Sequence, residues 1–329
     1  MGGRAIAKAV TKIAHRSKGC CTPERGKVDP SPALLSSASF ELRRAVEETL
    51  LSIPGGFFDM GARQPKYPVD YEGPRRKVRV SPYRIARHAV TNHLFARFVN
   101  ESRYRTTAEV EGWSYVFHLF LPEEVRNRPS PPGAPWWRQV SGATWGAPEG
   151  PGSSTKGREG HPVVHISWSD AQAFCDFTGL RLPTEAEWER AARGGLKHKR
   201  FPWGNALEPG GRHLHNVWQG YFPDLDSAED GYAGTAPVNA YPPNGYGLYN
   251  MTGNVWEWCV DWFGPPEIGP RPAHDPEGAA TGIQKVLKGG SHLCHSSYCE
   301  RYKVHSRTGN TPDSTTGHIG FRVAADAVA

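Results

Sequence analysis

Two cysteines in the C-terminal part of the chain have the types and spacing that most clearly allow chemistry. Cys294 and Cys299 are separated by four residues and lie among hydroxyl, imidazole and guanidinium groups, namely Ser291, His295, Tyr298, Arg301 and Arg307. Thiolates are both nucleophiles and soft metal ligands. The pair could therefore form a disulfide, bind a metal ion or take part in redox catalysis.

The spacing of the cysteine pair leaves these possibilities open. A disulfide across so short a loop would stabilise the fold by about 2 kcal/mol, and it would not persist in a reducing compartment. A tetrahedral zinc site would need two further ligands, for which His292, His295 and His305 are near in the sequence. Two thiolates without other protein ligands suit Cu(I), and inert or redox-buffering cysteines are the plain alternative.

A second candidate site consists of two oxygen-rich loops, 216–232 and 249–258. Calcium binds six to eight oxygen ligands from carboxylates, side-chain amides and backbone carbonyls, and irregular loops can direct all three inward. The side chains that could serve are Asn216, Asp230, Asn250 and Glu257. Neither loop has the acidic spacing of an EF-hand, so Asn and Asp residues that only form turns are the alternative.

Few helices are expected to position these loops. The segment 40–51 has apolar residues at helical spacing, and Thr91 or Asn92 can cap a helix that buries Leu94, Phe95, Phe98 and Val99. Two capping boxes, Ser167 with Asp170 and Thr184 with Glu187, predict helices that end at Gly179 and Gly194. After Trp203 the helical periodicity disappears, so loops and short strands must form the rest.

Alternating apolar and polar residues predict half-buried strands within 55–61 and 77–90. The apolar run HPVVHISW, residues 161–168, predicts a buried strand. Trp136 and Trp137 are interpreted as core anchors of a loop-rich domain, with stacking on a ligand as the alternative. Glycine (37 residues) and proline (29 residues) are frequent, which agrees with a fold rich in loops.

The composition excludes several classes of protein. The net charge of +6 comes entirely from residues 1–27, which carry seven Lys and Arg side chains and one Glu, so the body of the chain is neutral. This indicates a solvated basic tail, with an anionic partner for the tail as the alternative. The sequence has neither an apolar run of about 18 residues nor a secretory signal. Its six cysteines do not form a secreted disulfide framework, so we expect a cytoplasmic protein.

Several longer motifs occur in order between about residues 53 and 326: HPVVHISW, RLPTEAEWERAARGG, WGN, NVWQG, TAPVNAYPPNGYGLYNMTGNVWEW, GGSHLCHSSYCERYKVHSRTGNTPDS and GHIGFR. In this combination the chain resembles the formylglycine-generating enzymes, the oxidases that activate sulfatases. Several of these motifs are shared with the wider sulfatase-modifying-factor superfamily. The paired cysteines in LCHSSYC are the part specific to the oxidases.

The resemblance implies an α+β fold, irregular and C-type-lectin-like, with low regular secondary structure. It also implies a reaction in which O2 oxidises the cysteine of a Cys-X-Pro-X-Arg motif to Cα-formylglycine in an unfolded or nascent sulfatase. By this similarity Cys294 and Cys299 bind Cu(I), and the substrate thiolate joins them as a third sulfur. Ser291 and Tyr298 become candidates for polar support of the oxygen species, and Trp256 matches a family tryptophan beside the reactive centre.

The resemblance also assigns structural Ca²⁺ to the two oxygen-rich loops, where it would fix the loops and take no part in the chemistry. The matching ligands of one site are Asn216, the Val217 carbonyl, Asp230 and the Tyr232 carbonyl. Those of the other site are Asn250, the Gly253 and Val255 carbonyls, and Glu257.

The chain departs from the family at a few positions. Animal members have further cysteines that form disulfides, but the matching positions here are Ala192, Val304 and Val323, so Cys175 lacks a partner. This favours a cytoplasmic enzyme of bacterial type. Many members read Gly-Asn-Leu-Gly-Phe-Arg near the C-terminus, where this chain has His318 in place of the asparagine.

The basic tail contains a motif of its own. Residues 21–25 read Cys-Thr-Pro-Glu-Arg, which satisfies the substrate pattern Cys-X-Pro-X-Arg. A chance match in a flexible tail is one interpretation. The other hypothesis is that this segment visits the active site, as a pseudosubstrate or through a mixed disulfide.

We therefore expect three regions: a flexible basic tail (1–32), a connecting helix (33–52) and a formylglycine-generating catalytic domain (53–329). The expected protein is a monomer without a nucleic-acid or membrane partner. The alternatives are an iron-dependent sulfoxide synthase, which would need an additional helical domain, and a lectin-like binding module without catalysis.

Overall fold

The computed structural model describes residues 23–24 and 37–327. Most of the predicted 1–32 tail, including Cys20 and Cys21, lies outside these ranges. No helix in the described part of the chain is long and apolar enough to cross a membrane. The described helices are α1 (Phe40–Glu47), α2 (Asn92–Ser102), α3 (Thr107–Glu111), α4 (Glu123–Arg126), α5 (Trp168–Thr178) and α6 (Glu185–Arg193).

The strands are short and are separated by long irregular segments. They are β1 (Leu50–Ile53), β2 (Gly56–Met60), β3 (Arg76–Val80), β4 (Tyr83–Ala86), β5 (Trp113–Phe117), β6 (Trp137–Ser141), β7 (Gly220–Tyr221), β8 (Leu225–Asp226), β9 (Trp256–Trp262), β10 (Ala273–His274), β11 (Lys285–Lys288), β12 (Arg307–Asn310), β13 (Ile319–Gly320) and β14 (Ala324–Asp326). The structure is thus an α+β fold with low regular secondary structure, which confirms the expected fold class.

The predicted helix caps are confirmed. The side chain of Ser167 accepts the N–H of Asp170 at the start of α5, and Thr184 accepts the N–H of Glu187 at the start of α6. Both helices end at a glycine in the left-handed conformation, as the sequence predicts. Thr91 caps α2, whose buried face includes Leu94, Phe95 and Phe98. Helix α1 packs on α2 and α5 through Leu42 and Val46.

The sheets show how distant parts of the chain meet. The strand order is β12-β11-β9-β13 in the largest sheet, β1-β4-β14 in a second and β10-β3-β2 in a third. Strand β9 is antiparallel to β11 and parallel to β13. The buried core of the first sheet continues into the aromatic side chains of α2 and α5 and includes both Cys294 and Cys299. The cysteine pair therefore lies inside the main hydrophobic core.

The predicted strand at 161–168 is wrong. Residues Val163, His165 and Ile166 are fully buried, but the segment is irregular apart from an isolated bridge at Pro162. The Val163 N–H donates to Val90 O (2.9 Å), and the His165 N–H donates to Thr316 O (2.9 Å). An apolar run indicates that a segment is buried, but it does not show that the segment is a strand. Here the buried backbone N–H groups donate to carbonyls of two separate segments and not to one neighbouring strand.

Candidate active site

A tight turn after β11 brings the two cysteines together. Gly289, with a φ of 97°, redirects the chain where β11 ends. The Cys294 N–H donates to Ser291 O (2.9 Å), and the Cys299 N–H donates to His295 O (2.7 Å), which forms one helical turn between the cysteines. The two Sγ atoms lie 3.4 Å apart, and no disulfide joins them. The two thiols are therefore preassembled side by side.

The cysteine pair lines a cavity with mostly aromatic walls. Its other lining residues are Trp136, Trp137, Phe222, Trp256, Ser291, Leu293, Tyr298 and His318. The structure therefore brings together every residue that the sequence nominated for the reaction: Cys294, Cys299, Ser291, Tyr298 and Trp256. Their chemical roles stay predictions. Trp136 and Trp137 were interpreted as core anchors, with stacking on a ligand as the alternative, and both line the cavity. Phe222 and Leu293 were missed, because nothing in their spacing distinguishes a cavity wall from the core.

The aromatic walls pack closely on one another. The ring of Tyr298 stacks on Phe222 with centroids 4.6 Å apart, and it meets the edge of Trp136 at 4.5 Å. On the other side, the rings of Trp137 and His318 are 4.7 Å apart. This wall limits water and holds the Tyr298 ring in a fixed position beside the thiols.

Two indole N–H groups at this cavity have no hydrogen-bond partner among the residues that the structure describes. They belong to Trp137 and Trp256, which are 1% and 0% exposed. The nearby Trp258, equally buried, donates its N–H to Ile166 O at 2.9 Å. An unpaired buried donor costs about 1–3 kcal/mol. The cavity thus offers two donors to a small ligand that carries acceptor atoms.

Arg301 and Asp70 form a buried ion pair beside Cys299. Arg301 Nη1 is 3.7 Å from Cys299 Sγ, its Nε binds the carboxylate of Asp70, and its guanidinium lies 4.0 Å from the centre of the Tyr67 ring. Asp70 and Tyr67 were missed, since they are more than 200 residues away in the sequence. Burial and the neighbouring Cys299 thiol raise the pKa of Cys294, while the charge of Arg301 acts in the opposite direction.

The largest sheet positions these groups. Trp256 is the first residue of β9, and its N–H donates to His318 O (2.9 Å), just before β13 pairs with it. The opposite neighbour of β9 is β11, which leads directly into the cysteine loop. One sheet thus fixes the tryptophan, the histidine and the cysteines relative to one another.

The histidines near the cysteines do not complete a zinc site. His292 Nδ1 interacts with Asn254 O (2.8 Å), and His295 Nδ1 interacts with Ser297 Oγ (2.7 Å). Burial lowers the pKa of both His292 and His305 to about 4. Within residues 23–24 and 37–327, no three His, Cys, Asp or Glu side chains form a group that could hold a metal ion. The four-ligand zinc alternative therefore lacks its ligands here.

The first oxygen-rich loop contains an unsatisfied buried acceptor. Asn216 is fully buried, and its Oδ1 has no partner among the described residues, whereas its Nδ2 donates to Gly234 O (2.7 Å). The carboxylate of Asp230 accepts the N–H groups of Val217 (3.1 Å) and Tyr232 (3.0 Å). Burial raises the pKa of Asp230. This is a set of oxygen atoms that a hard cation would satisfy.

The second loop is joined to the first. The Asn254 N–H donates to Asn216 O (2.8 Å), and the Oδ1 of Asn250 is also buried without a described partner. Glu257 is already engaged, because Arg322 binds its two carboxylate oxygens and Trp188 Nε1 donates to it at 2.6 Å. The second set therefore fits a cation less completely than the first.

Proteins of known family are similar to this chain over most of its length. Residues 37–327 match the family model described as the sulfatase-modifying factor enzyme 1-like domain. The chain is 55% identical over 301 residues to the formylglycine-generating enzyme of Thermomonospora curvata, a match that covers 89% of this chain and 99% of that protein. It is also 44% identical over 300 residues to a Bos taurus protein named inactive C-alpha-formylglycine-generating enzyme 2, with coverage of 90% and 94%.

A solved structure extends the comparison of the fold. PvdO from Pseudomonas aeruginosa superposes with a TM-score of 0.60 at 23% identity, covering 84% of this chain and 94% of that one. Such a likeness concerns the fold alone, whereas the family model and the sequence relatives cover most of the chain. The chain therefore belongs to the formylglycine-generating enzyme family.

Proposed function

We propose that this protein is an active formylglycine-generating oxidase, which uses O2 to convert the cysteine of a Cys-X-Pro-X-Arg motif in an unfolded or nascent sulfatase to Cα-formylglycine. Family membership alone does not carry this proposal, because the family includes a relative named inactive. The observation that carries it is the pair of Cys294 and Cys299, which no disulfide joins and whose sulfur atoms lie 3.4 Å apart at the wall of an aromatic cavity.

The residues present fit Cu(I) as the cofactor. Two sulfur atoms that each lie about 2.3 Å from one metal ion can be up to about 4.6 Å apart, so a separation of 3.4 Å is within reach of a single ion. Soft thiolates favour Cu(I), and no third metal-binding side chain joins them in the described part of the chain. That arrangement leaves a coordination position for the substrate thiolate. Bound Cu(I) would supply the activation of O2.

The other cavity residues have roles that follow from their contacts. The stacked wall of Tyr298, Phe222 and Trp136 excludes water, which strengthens polar interactions inside. The unpaired indole N–H groups of Trp137 and Trp256 can donate to oxygen atoms that gain negative charge during the reaction. The buried hydroxyl of Ser291 and the phenol of Tyr298 line the same cavity and are further candidates for this role.

We also propose that Ca²⁺ fixes the two oxygen-rich loops. The support is the pair of buried amide oxygens, Asn216 Oδ1 and Asn250 Oδ1, that have no partner in the part of the chain described. The proposed working compartment is the cytoplasm. It suits the four described cysteines, Cys175, Cys259, Cys294 and Cys299, which form no disulfide with one another.

The proposed reaction is tested with a synthetic Cys-X-Pro-X-Arg peptide, assayed by mass spectrometry with Cu(I), with a copper chelator and with Zn²⁺. We expect turnover only with copper, and a fall of about 100-fold or more in kcat/KM for Cys294→Ala and Cys299→Ala. Cys175→Ala is the matched control, because this thiol is equally buried but lies in α5, outside the cavity. Wild-type rates in either cavity variant would exclude the two-thiolate mechanism.

A further inference from the structure

A groove on the surface of the domain carries unbalanced positive charge. It lies between the edge strand β2 and the loop that follows α6, and its volume is about 310 Å³. We call it the cationic groove, and its lining includes Phe57, Asp59, Lys77, Arg190, Lys197 and His198. It shares no described lining residue with the cysteine cavity, so the proposed reaction does not account for it.

Arg190 is a buried cation in the wall of this groove. It is only 8% exposed, and its Nε and Nη2 donate to the carbonyls of Pro54 and Gly55 at 2.6–2.8 Å. In the described part of the chain no carboxylate forms an ion pair with it, whereas the neighbouring Arg193 binds Glu189 at 2.6 Å. A buried charge without an opposite charge is unfavourable, so an anion bound in the groove would stabilise Arg190.

Two exposed lysines add to this charge. Lys77 lies opposite Asp59 in the ladder of β2 and β3, but the Asp59 carboxylate binds His198 at 2.7 Å. Lys197 precedes that histidine, and neither lysine forms an ion pair among the residues that the structure describes. Asp59 is the only acidic residue in the described lining of the groove. The groove therefore attracts anions.

An exposed aromatic ring lies beside these cations. Phe57 is 58% exposed on β2, and Lys77 Nζ is 5.7 Å from the centre of its ring. On the other strand Arg79 is directly opposite Phe57 and is also exposed. Proteins that bind single-stranded nucleic acids combine a cationic groove for the phosphates with aromatic side chains on which the bases stack. The groove contains both parts of this arrangement.

We propose that the cationic groove binds single-stranded RNA, with phosphates at Lys77, Arg190 and Lys197. A base stacks on Phe57. The exposed Lys199 continues the charge beyond the groove, which suits a polymer better than a single nucleotide. The sequence predicted no nucleic-acid partner because the body of the chain is neutral, but a sum of charges does not show where they gather.

This binding goes beyond the proposed function and does not depend on it. An enzyme that acts on nascent chains meets RNA at the ribosome, so RNA binding would keep it close to its substrate. No residue of the cysteine cavity takes part, and peptide oxidation should therefore be unchanged when the groove is altered.

The test measures the binding of a short fluorescent oligouridine to the full-length protein by anisotropy over a range of salt concentrations. We expect Lys77→Ala and Lys197→Ala each to weaken binding about fivefold at about 0.1 M salt, and to lower the slope of log Kd against log salt by about 0.7. Lys156→Ala is the matched control, because Lys156 is also exposed but lies outside the groove. The basic tail is present in every variant, so its contribution cancels.

Phe57→Ala tests the stacking separately from the charge. It removes the ring and leaves the net charge unchanged, so we expect a loss of affinity of about fivefold or more at an unchanged salt slope. Heparin and polyglutamate are the comparison ligands, since they are polyanions without bases. If Phe57→Ala binds oligouridine as tightly as wild type, or if either polyanion binds as tightly as RNA, the assignment to RNA is wrong.

The remaining outcomes separate this inference from the proposed function. Equal affinity and salt slope in wild type, Lys77→Ala and Lys197→Ala would overturn the groove as the binding site. If RNA binding responds as expected but no peptide is oxidised, the proposed function fails and this inference stands. If the peptide is oxidised but RNA binding does not respond, this inference fails and the proposed function stands.

Discussion

Arg322 binds the carboxylate of Glu257 with both arms of its guanidinium, at 2.6 and 2.7 Å, and both side chains are almost completely buried. Glu257 follows Trp256 directly in β9, and Trp188 Nε1 donates to the same carboxylate. The pair therefore connects the tryptophan strand to the residues that follow β13. Loss of this ion pair should therefore lower the stability of the fold and change the shape of the cavity.

The first prediction concerns this ion pair. Arg322→Met leaves a buried carboxylate without its partner, and we expect the free energy of unfolding to fall by about 3–5 kcal/mol in urea titrations. Arg44→Met is the control, because Arg44 and Glu48 form an exposed pair on α1 that contributes about 0.5 kcal/mol or less. Similar losses in both variants would contradict the importance of the buried pair.

The second prediction concerns the unpaired indoles. Trp256→Phe keeps an aromatic ring but removes the N–H, so we expect kcat to fall about 10²-fold with little loss of stability, since no hydrogen bond among the described residues is broken. Trp258→Phe removes a donor that Ile166 O uses, and should cost about 1–3 kcal/mol of stability. Peptide kinetics and thermal unfolding distinguish the two. An unaffected kcat in Trp256→Phe would rule out this donor.

The third prediction concerns calcium. Chelation should lower the melting temperature, and Ca²⁺ at about 100 times its Kd should restore about 2.7 kcal/mol of stability. Asp230→Asn should reduce this response, because it removes the charged ligand of the first loop. The exposed neighbour Asp224 supplies the control, Asp224→Asn. A response that Mg²⁺ reproduces, or that Asp230→Asn leaves intact, would argue against a calcium site.

The fourth prediction concerns pH. Burial, with the charge of Glu185, raises the pKa of Asp261 to about 7. Because this folded pKa exceeds the ordinary value near 4, the contribution of Asp261 to stability is complete below about pH 4 and is lost as the pH rises through 7. Asp261→Asn resembles the protonated form and keeps an acceptor for the Glu185 N–H.

We therefore expect the Asp261→Asn variant to match wild type at pH 4 and to be more stable at pH 8, by up to about 4 kcal/mol. Urea unfolding gives the free energy of unfolding of both proteins across this pH range. The difference between the two values at each pH reports the titration of Asp261. A difference that does not change between pH 4 and pH 8 would show that Asp261 titrates normally.

Local signals made part of this fold predictable. A capping box such as Ser167 with Asp170 depends on residues three apart, so the sequence contains the whole device. The contact between Arg301 and Asp70 joins residues 231 apart, and no spacing rule contains it. The prediction that Cys294 and Cys299 lie close together required the resemblance to a family, because four intervening residues also allow an extended loop. The strand predicted at 161–168 was wrong, because a buried irregular segment and a buried strand have the same apolar sequence pattern.

The order of the strands has a consequence for biosynthesis. His318 and β13 complete the wall of the cavity, and β14 completes the sheet that begins with β1. A ribosome adds these segments after nearly all the others, at roughly 5–20 residues per second. Until residues 318–326 have left the exit tunnel, the cysteine loop has no completed pocket around it. An enzyme proposed to act on nascent chains thus gains its own catalytic pocket only after the last strand that the structure describes has emerged from the ribosome.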